Sequence, residues 1–249
     1  MNKPLKYLLL LFCFFAINTF AQVNQKDAQG RKQGVWKKPH KTSASWAYVG
    51  QFKDDKPVGT FTYYYESGRT KVVLDYVGTS GIVCYAKMYH ETGYLMAKGK
   101  YINQEKDSTW TQYDDRGIIS YQEDYKKGKL NGQRVVFYEP TNGQYRVMEY
   151  SYWRDGVQHG EYKKFHPNTK VAEEGIYVDG NKNGEVKHYH PNGKIAMVER
   201  YKFAVKHGYQ IVYDETGKQT GFKLYWEGVE LKGEALKKKA AELKASRSN

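Results

Sequence analysis

After residue 21 the hydrophobic pattern is a succession of strand-length segments of about six residues. Aromatic and polar side chains alternate within them, and glycine, asparagine or aspartate bounds them. In Gly160-Glu161-Tyr162-Lys163-Lys164-Phe165, Tyr162 and Phe165 stand three positions apart, so a strand sends them to opposite faces. Phe61 with Tyr64, and Trp110 with Tyr113, repeat the arrangement. The pattern therefore predicts two aromatic columns on a pleated sheet. One holds Trp36, Phe61, Trp110, Tyr162 and Val186. The other holds Tyr64, Tyr89, Tyr113, Tyr138, Phe165, Tyr189 and Tyr213.

The glycines set a period. Gly160 to Gly184 and Gly184 to Gly208 are 24 residues each, and Gly34 to Gly59 is 25. Gly59 to Asp107 is 48 residues with Cys84 between them, Asp107 to Gly132 is 25, and Gly132 to Gly160 is 28. An aromatic precedes a turn residue by four positions at Gly68, Gly93, Gly117, Thr169, Gly193 and Gly217, and Gly143 fits Tyr138 with one extra residue. Eight positions after the turn comes another tyrosine: Tyr76, Tyr101, Tyr125, Tyr177, Tyr201 or Tyr225. Segments such as Pro191-Asn192-Gly193 suit a type I turn closed by a left-handed residue, which glycine adopts at little cost. A second loop, reading Asp179 to Gly184 or Lys127 to Gly132, is expected to link one hairpin to the next.

Two spacings kept over so many copies identify a repeat architecture. The expected fold is all-β: an elongated single-layer antiparallel sheet of about seven consecutive β-hairpin repeats, at least three being needed for such a stack. The repeat domain spans 34–233, preceded by an N-terminal linker at 22–33. Residues 234–249 are expected as a short capping helix and tail, with Leu236, Ala240 and Leu243 forming one apolar stripe.

Glycine, any residue, aromatic, then an aromatic before a turn glycine, then Tyr-x-x-Gly resembles the MORN-repeat variant. Tyr177-Val178-Asp179-Gly180 and Tyr125-Lys126-Lys127-Gly128 carry the last element, and His159-Gly160 and His207-Gly208 match the more familiar consensus. Proteins of this kind, including those labelled YwqK-like antitoxins, are built from consecutive hairpins in one sheet. The resemblance thus implies the same fold, and its label suggests neutralisation of a protein toxin.

The start of the chain reads as a signal peptide. Lys3 and Lys6 precede an apolar run from Tyr7 to Ile17, and Thr19 and Ala21 supply small residues for cleavage after Ala21. The run is shorter than the roughly 20 residues a bilayer span needs. Residues 1–21 are therefore expected to be removed on export to the periplasm, cell surface or medium, leaving no transmembrane span. Cys84 then stands without a disulfide partner, in the apolar stretch Ile82 to Tyr85 that suits a buried inert thiol.

The formal net charge of +13 favours anionic partners. No recognition-helix or zinc-finger pattern is present, so nucleic acid is not expected. No serine elbow, phosphate loop, His-Glu-x-x-His or Cys-x-x-Cys motif occurs, so no catalytic residues, metal or cofactor are assigned. His188 and His190 lie two apart, and His90, His166 and His190 hold equivalent repeat positions. At two strand spacings, about 9–10 Å, neighbouring imidazoles are too far apart to share a metal, so they read as a solvated stack. The column Tyr64, Tyr89, Tyr113, Tyr138, Phe165, Tyr189 and Tyr213 is the candidate binding surface. The leading reading is a non-enzymatic scaffold for a partner protein, with an acidic partner expected from the charge. The alternatives are an envelope-polysaccharide or peptidoglycan binder and a toxin-neutralising protein.

Overall fold

The computed structural model describes residues 22–246. The expected signal peptide, residues 1–21, lies outside the described residues, as do residues 247–249. Twenty strand segments pair antiparallel with their sequence neighbours in one open sheet. Two segments continue a preceding one across breaks at Asn183 and His207, so the described residues form eighteen rungs. The all-β, single-layer hairpin repeat read from the periodicity is the fold observed.

The two ends of the rungs turn differently. At one end sit three-residue loops: the His190 N–H donates to Lys194 O and the Gly193 N–H to His190 O, both at 2.8 Å. Gly193 lies at φ +90°, the left-handed conformation that closes this loop. At the other end the connections expected at Asp179 to Gly184 and at Lys127 to Gly132 are much shorter. Asp179–Gly180, Lys127–Gly128, Asp54–Asp55 and most of their counterparts are two-residue turns with positive φ at both positions, the exception being the six residues between Tyr76 and Val83. Such mirror-image turns match the right-handed twist of the strands, so the chain re-enters the sheet at once. Asn181–Lys182 is already strand, and the following Gly184 (φ +81°) is a bulge inside the rung.

The bulge position corrects one landmark. In strand Glu105–Tyr113 the residue at positive φ is Ser108 (φ +59°), not Asp107, and Ser108 pairs with Tyr125 as Gly160 pairs with Tyr177. Cys84 occupies the equivalent place opposite Tyr101, where the strand pairs its predecessor without any register shift.

The stretch 22–33, expected as a linker, joins the sheet. Gln25–Lys26 pairs with Lys32–Gln33 around a turn whose amides, at Gln29 and Arg31, bond to the Asp27 carboxylate. The Asn24 side chain then accepts from Lys37 N at 2.8 Å and donates to Lys37 O at 3.1 Å, standing in for a strand residue and covering the first edge. At the far end the helix Gly233–Ala245 lies over the last hairpins. Leu236, Ala240 and Leu243 are its half-buried stripe, Leu224 beneath is fully buried, and Lys239 Nζ sits 4.1 Å from the centre of the Trp226 ring.

A single layer has no second sheet to hide its core, yet Trp110, Tyr162 and Val186 are almost fully buried. They lie in one row that crosses the sheet: Trp36 opposite Gly50, Phe61 beside Leu74, Trp110 beside Glu123, Tyr162 between Ser151 and Gly175, and Val186 beside Glu199. Each ring has a small residue on at least one side: Gly50 beside Trp36 and Phe61, Gly99 beside Trp110, and Ser151 and Gly175 beside Tyr162. The tyrosines eight positions after the turns then fold over the row from one side, Tyr101 at 4.8 Å from Trp110 and Tyr177 at 5.0 Å from Tyr162. Lysines complete the cover: Lys106 Nζ lies 4.7 Å from both the Trp110 and Tyr125 rings, and Lys182 spans Tyr162 and Tyr201. Apolar stems and cation–π attraction replace the missing layer.

Candidate binding surface

Strand alternation places the second column on the opposite face. Tyr64, Tyr89, Tyr113, Phe165, Tyr189 and Tyr213 occupy equivalent positions, each just past a register shift and paired with the first residue of the next rung. All are half-buried. Tyr138 is not among them. Strand Lys129–Phe137 ends with Phe137 in the column position, paired with Val147, and Tyr138 lies one residue beyond. The extra residue in the long repeat falls in the loop, so counting back from Gly143 lands one place too far.

Tyr138 instead belongs to a row of latches that sequence reading missed. Its hydroxyl donates to the main-chain O of Phe165, the column residue of the next repeat, at 2.6 Å. Tyr65 reaches Tyr89 O at 2.7 Å in the same way. The Nε2–H of His40, His166 and His190 donates to Tyr64, Tyr189 and Tyr213 O at 3.0, 2.8 and 3.0 Å. These histidines are half-buried ties between repeats, not a solvated stack. Their ring nitrogens face backbone, and no group of three His, Cys, Asp or Glu residues able to hold a metal occurs among the described residues. The signal was available in the 23- to 27-residue spacing between each ring and the carbonyl it reaches.

Next to the column, on the same face, charged side chains gather at two places, Lys87 with Lys98 and Lys163 with Glu174 and Lys187. Lys163 bonds Glu174 at 3.0 Å, and Tyr189 donates to Glu174 at 2.6 Å. The tyrosine hydrogen bond, with Lys163 behind it, holds the Glu174 carboxyl below its ordinary range. Burial and the Glu174 carboxylate push Tyr189 up to about 12. Farther along, Tyr85 and Tyr152 expose 56% and 41% of their surface and Ile176 exposes 46%, so this face presents apolar rings among charges.

The first face carries a different set, also unread in the sequence. Glu123, Glu173 and Glu199 stand at or beside the buried row, each held by a tyrosine hydroxyl: Tyr125 at 2.7 Å, Tyr162 at 2.6 Å and Tyr201 at 3.1 Å. Burial opposes ionisation of Glu173 and Glu199. Hydrogen bonds outweigh it, from Tyr162 and Lys182 to Glu173 and from Lys206, His188 and Tyr201 to Glu199, so both titrate below the usual value. Every carboxylate here is spent on neighbours, which leaves no free acid–base pair.

The geometry defines a class: an open, single-layer β-hairpin repeat with two side-chain faces and no enclosed reaction centre among the described residues. Two of its repeats, residues 158–179 and 182–202, match the MORN repeat variant. MORN repeats in general mediate interactions with proteins or membranes, as binding modules and not as typical enzymes. No curated protein matches the chain. No helix among the described residues is long and apolar enough to cross a membrane.

Proposed function

We propose that this chain is an exported, non-catalytic scaffold that holds a partner protein along the face carrying Tyr64, Tyr89 and Tyr113. The observation that carries the reading is the face itself: half-buried rings at regular spacing, exposed Tyr85 and Tyr152, and Lys87, Lys98, Lys163 and Lys187 beside them. Rings with polar tips and a lysine margin favour a protein partner. Many weak contacts along equivalent repeats sum to useful affinity, as on other repeat surfaces. Export is argued from the leader-like start of the sequence, and the net charge of +13 favours a partner of acidic character.

The test is partner capture from envelope extract by the wild-type chain and by the double variant Tyr89→Ser, Tyr113→Ser. Loss of capture with an unchanged β spectrum supports the reading. Retained capture with that spectrum moves the site to the Trp36–Tyr162 face. Cell fractionation with N-terminal sequencing tests export, the expected first residue being Gln22; cytoplasmic protein beginning at Met1 overturns that part.

A further inference from the structure

The two charged places on this face are built differently. Near one end of the sheet, Lys163, Glu174 and Lys187 are cross-strand neighbours, so a carboxylate stands between two ammonium groups. Lys87 occupies the place of Lys163 in an earlier repeat, and its cross-strand partner, where Glu174 would be, is Lys98. Like charges directly opposite in a sheet destabilise it, because their β-carbons are only about 5 Å apart. Among the described residues neither lysine forms an ion pair. Lys98 extends over the Tyr113 ring at 5.9 Å, and the nearby Lys100 already meets Asp107 at 3.5 Å. An open cavity of about 430 Å³ lies over this spot, lined by Tyr85, Lys87, Lys98, Lys100, Thr109 and Thr111.

We infer that Lys87 and Lys98, with Tyr85, form a cradle for a carboxylate side chain of an acidic polypeptide partner. The same sheet already shows what such a cradle holds, since Glu174 bonds Lys163 at 3.0 Å in the equivalent place. The chain keeps a repulsive pair where its own repeat supplies a glutamate elsewhere, and a partner's Glu or Asp would remove that repulsion. The strand N–H groups here are engaged in the ladder, so the contact falls to the two ammonium groups, and a carboxylate is the anion that a polypeptide partner supplies. Tyr85 adds a 56% exposed ring for the aliphatic part of the acidic side chain. The inference rests on the reading that this face binds a protein, and names the chemistry of one contact.

The test uses the full chain and a hexaglutamate peptide, with binding followed by calorimetry at low and moderate salt. Wild type is expected to bind, more weakly as salt rises. Lys98→Glu should weaken binding at least about tenfold while raising the melting temperature, since it restores the Lys–Glu pairing seen at Lys163. Lys98→Gln should weaken binding without that gain. Lys129→Glu, at the exposed first residue of the strand Lys129–Phe137, makes the same charge change away from the cradle and should leave affinity within about twofold. Equal losses in Lys98→Glu and Lys129→Glu would reduce the site to overall positive charge and overturn the inference. So would unchanged binding in Lys98→Glu, or Lys98-dependent binding of dextran sulfate with none of hexaglutamate. Tyrosine-dependent partner capture without hexaglutamate binding would sink the cradle and leave the scaffold reading standing. Lys98-dependent hexaglutamate binding with capture insensitive to Tyr89 and Tyr113 would do the reverse.

Discussion

The Trp110 ring lies flat against the α-carbon of Gly99 on the neighbouring strand, and a β-carbon at residue 99 would fall inside it. Gly50 stands in the same relation to Phe61. These glycines are kept for contact, not for conformation, since neither has a positive φ. They are what lets a single layer bury a tryptophan completely.

Gly99→Ala is therefore expected to destabilise the protein by about 1–3 kcal/mol or more, the cost of overpacking a tight core site. Gly221→Ala is the matched control. It also lies in a strand without positive φ, but an added β-carbon there has no atom within 4 Å. Replacing that glycine should be neutral or slightly stabilising, because alanine has less freedom to lose on folding. Chemical denaturation of both variants decides it. Equal effects would mean that the Trp110 contact does not govern the row.

Thr169 is the opposite case. It sits at φ +68° in the loop after His166, where the corresponding residues of neighbouring repeats are Gly193 and Gly217. A β-branched side chain in the left-handed region carries about 1–3 kcal/mol of strain. Thr169→Gly should raise the melting temperature, offset in part by the greater entropy of glycine in the unfolded chain. An unchanged or lower melting temperature would show that the Thr169 side chain has found compensating contacts.

Much of the fold was legible because it rests on local chemistry repeated many times. Turn glycines such as Gly193, the Tyr-x-x-Gly tyrosines and the three-residue offset between Trp110 and Tyr113 each report a strand period or a turn type. What escaped was of two kinds. Serine at 108 hid the bulge, because any short residue can be driven to positive φ when the ladder on both sides fixes it. The shift from Tyr138 to Phe137 arose where a longer loop broke the count. The side-chain partnerships were less readable still. Nothing local to Glu199 says that Lys206, Tyr201, Gln210 and His188 converge on it, since that depends on the register of three rungs. The same holds for Lys87 and Lys98, which are eleven residues apart and meet only through the pairing of their strands.

That convergence sets the pH dependence of stability. Glu199 is 6% exposed and accepts from Lys206 at 2.7 Å, Tyr201 at 3.1 Å, Gln210 at 3.1 Å and His188 at 3.2 Å. Burial alone would raise its pKa, but these partners lower it below the ordinary 4.5, and Glu173 is lowered by Tyr162 and Lys182 in the same manner. A carboxyl group whose folded pKa lies below its unfolded one stabilises the fold above the unfolded value, and that stability is lost as pH falls through the folded value. Thermal midpoints should thus hold steady above about pH 5 and fall below the ordinary carboxylate pKa. Tyr201 contributes to the alkaline limb together with Tyr76 and Tyr189, which are raised likewise. Burial and the Glu199 carboxylate push Tyr201 up to about 12 from an ordinary 10.0, so its contribution is complete below pH 10 and lost as pH rises towards 12. Glu199→Gln should lower the neutral plateau and shrink the acid limb, because the amide has no proton to take up. Tyr201→Phe should shorten the alkaline limb while leaving most of the acid limb to Glu173. Melting curves from pH 3 to pH 11.5 would show both limbs. An acid limb as steep in the double variant Glu173→Gln, Glu199→Gln as in wild type would place the responsible carboxylates elsewhere on the sheet.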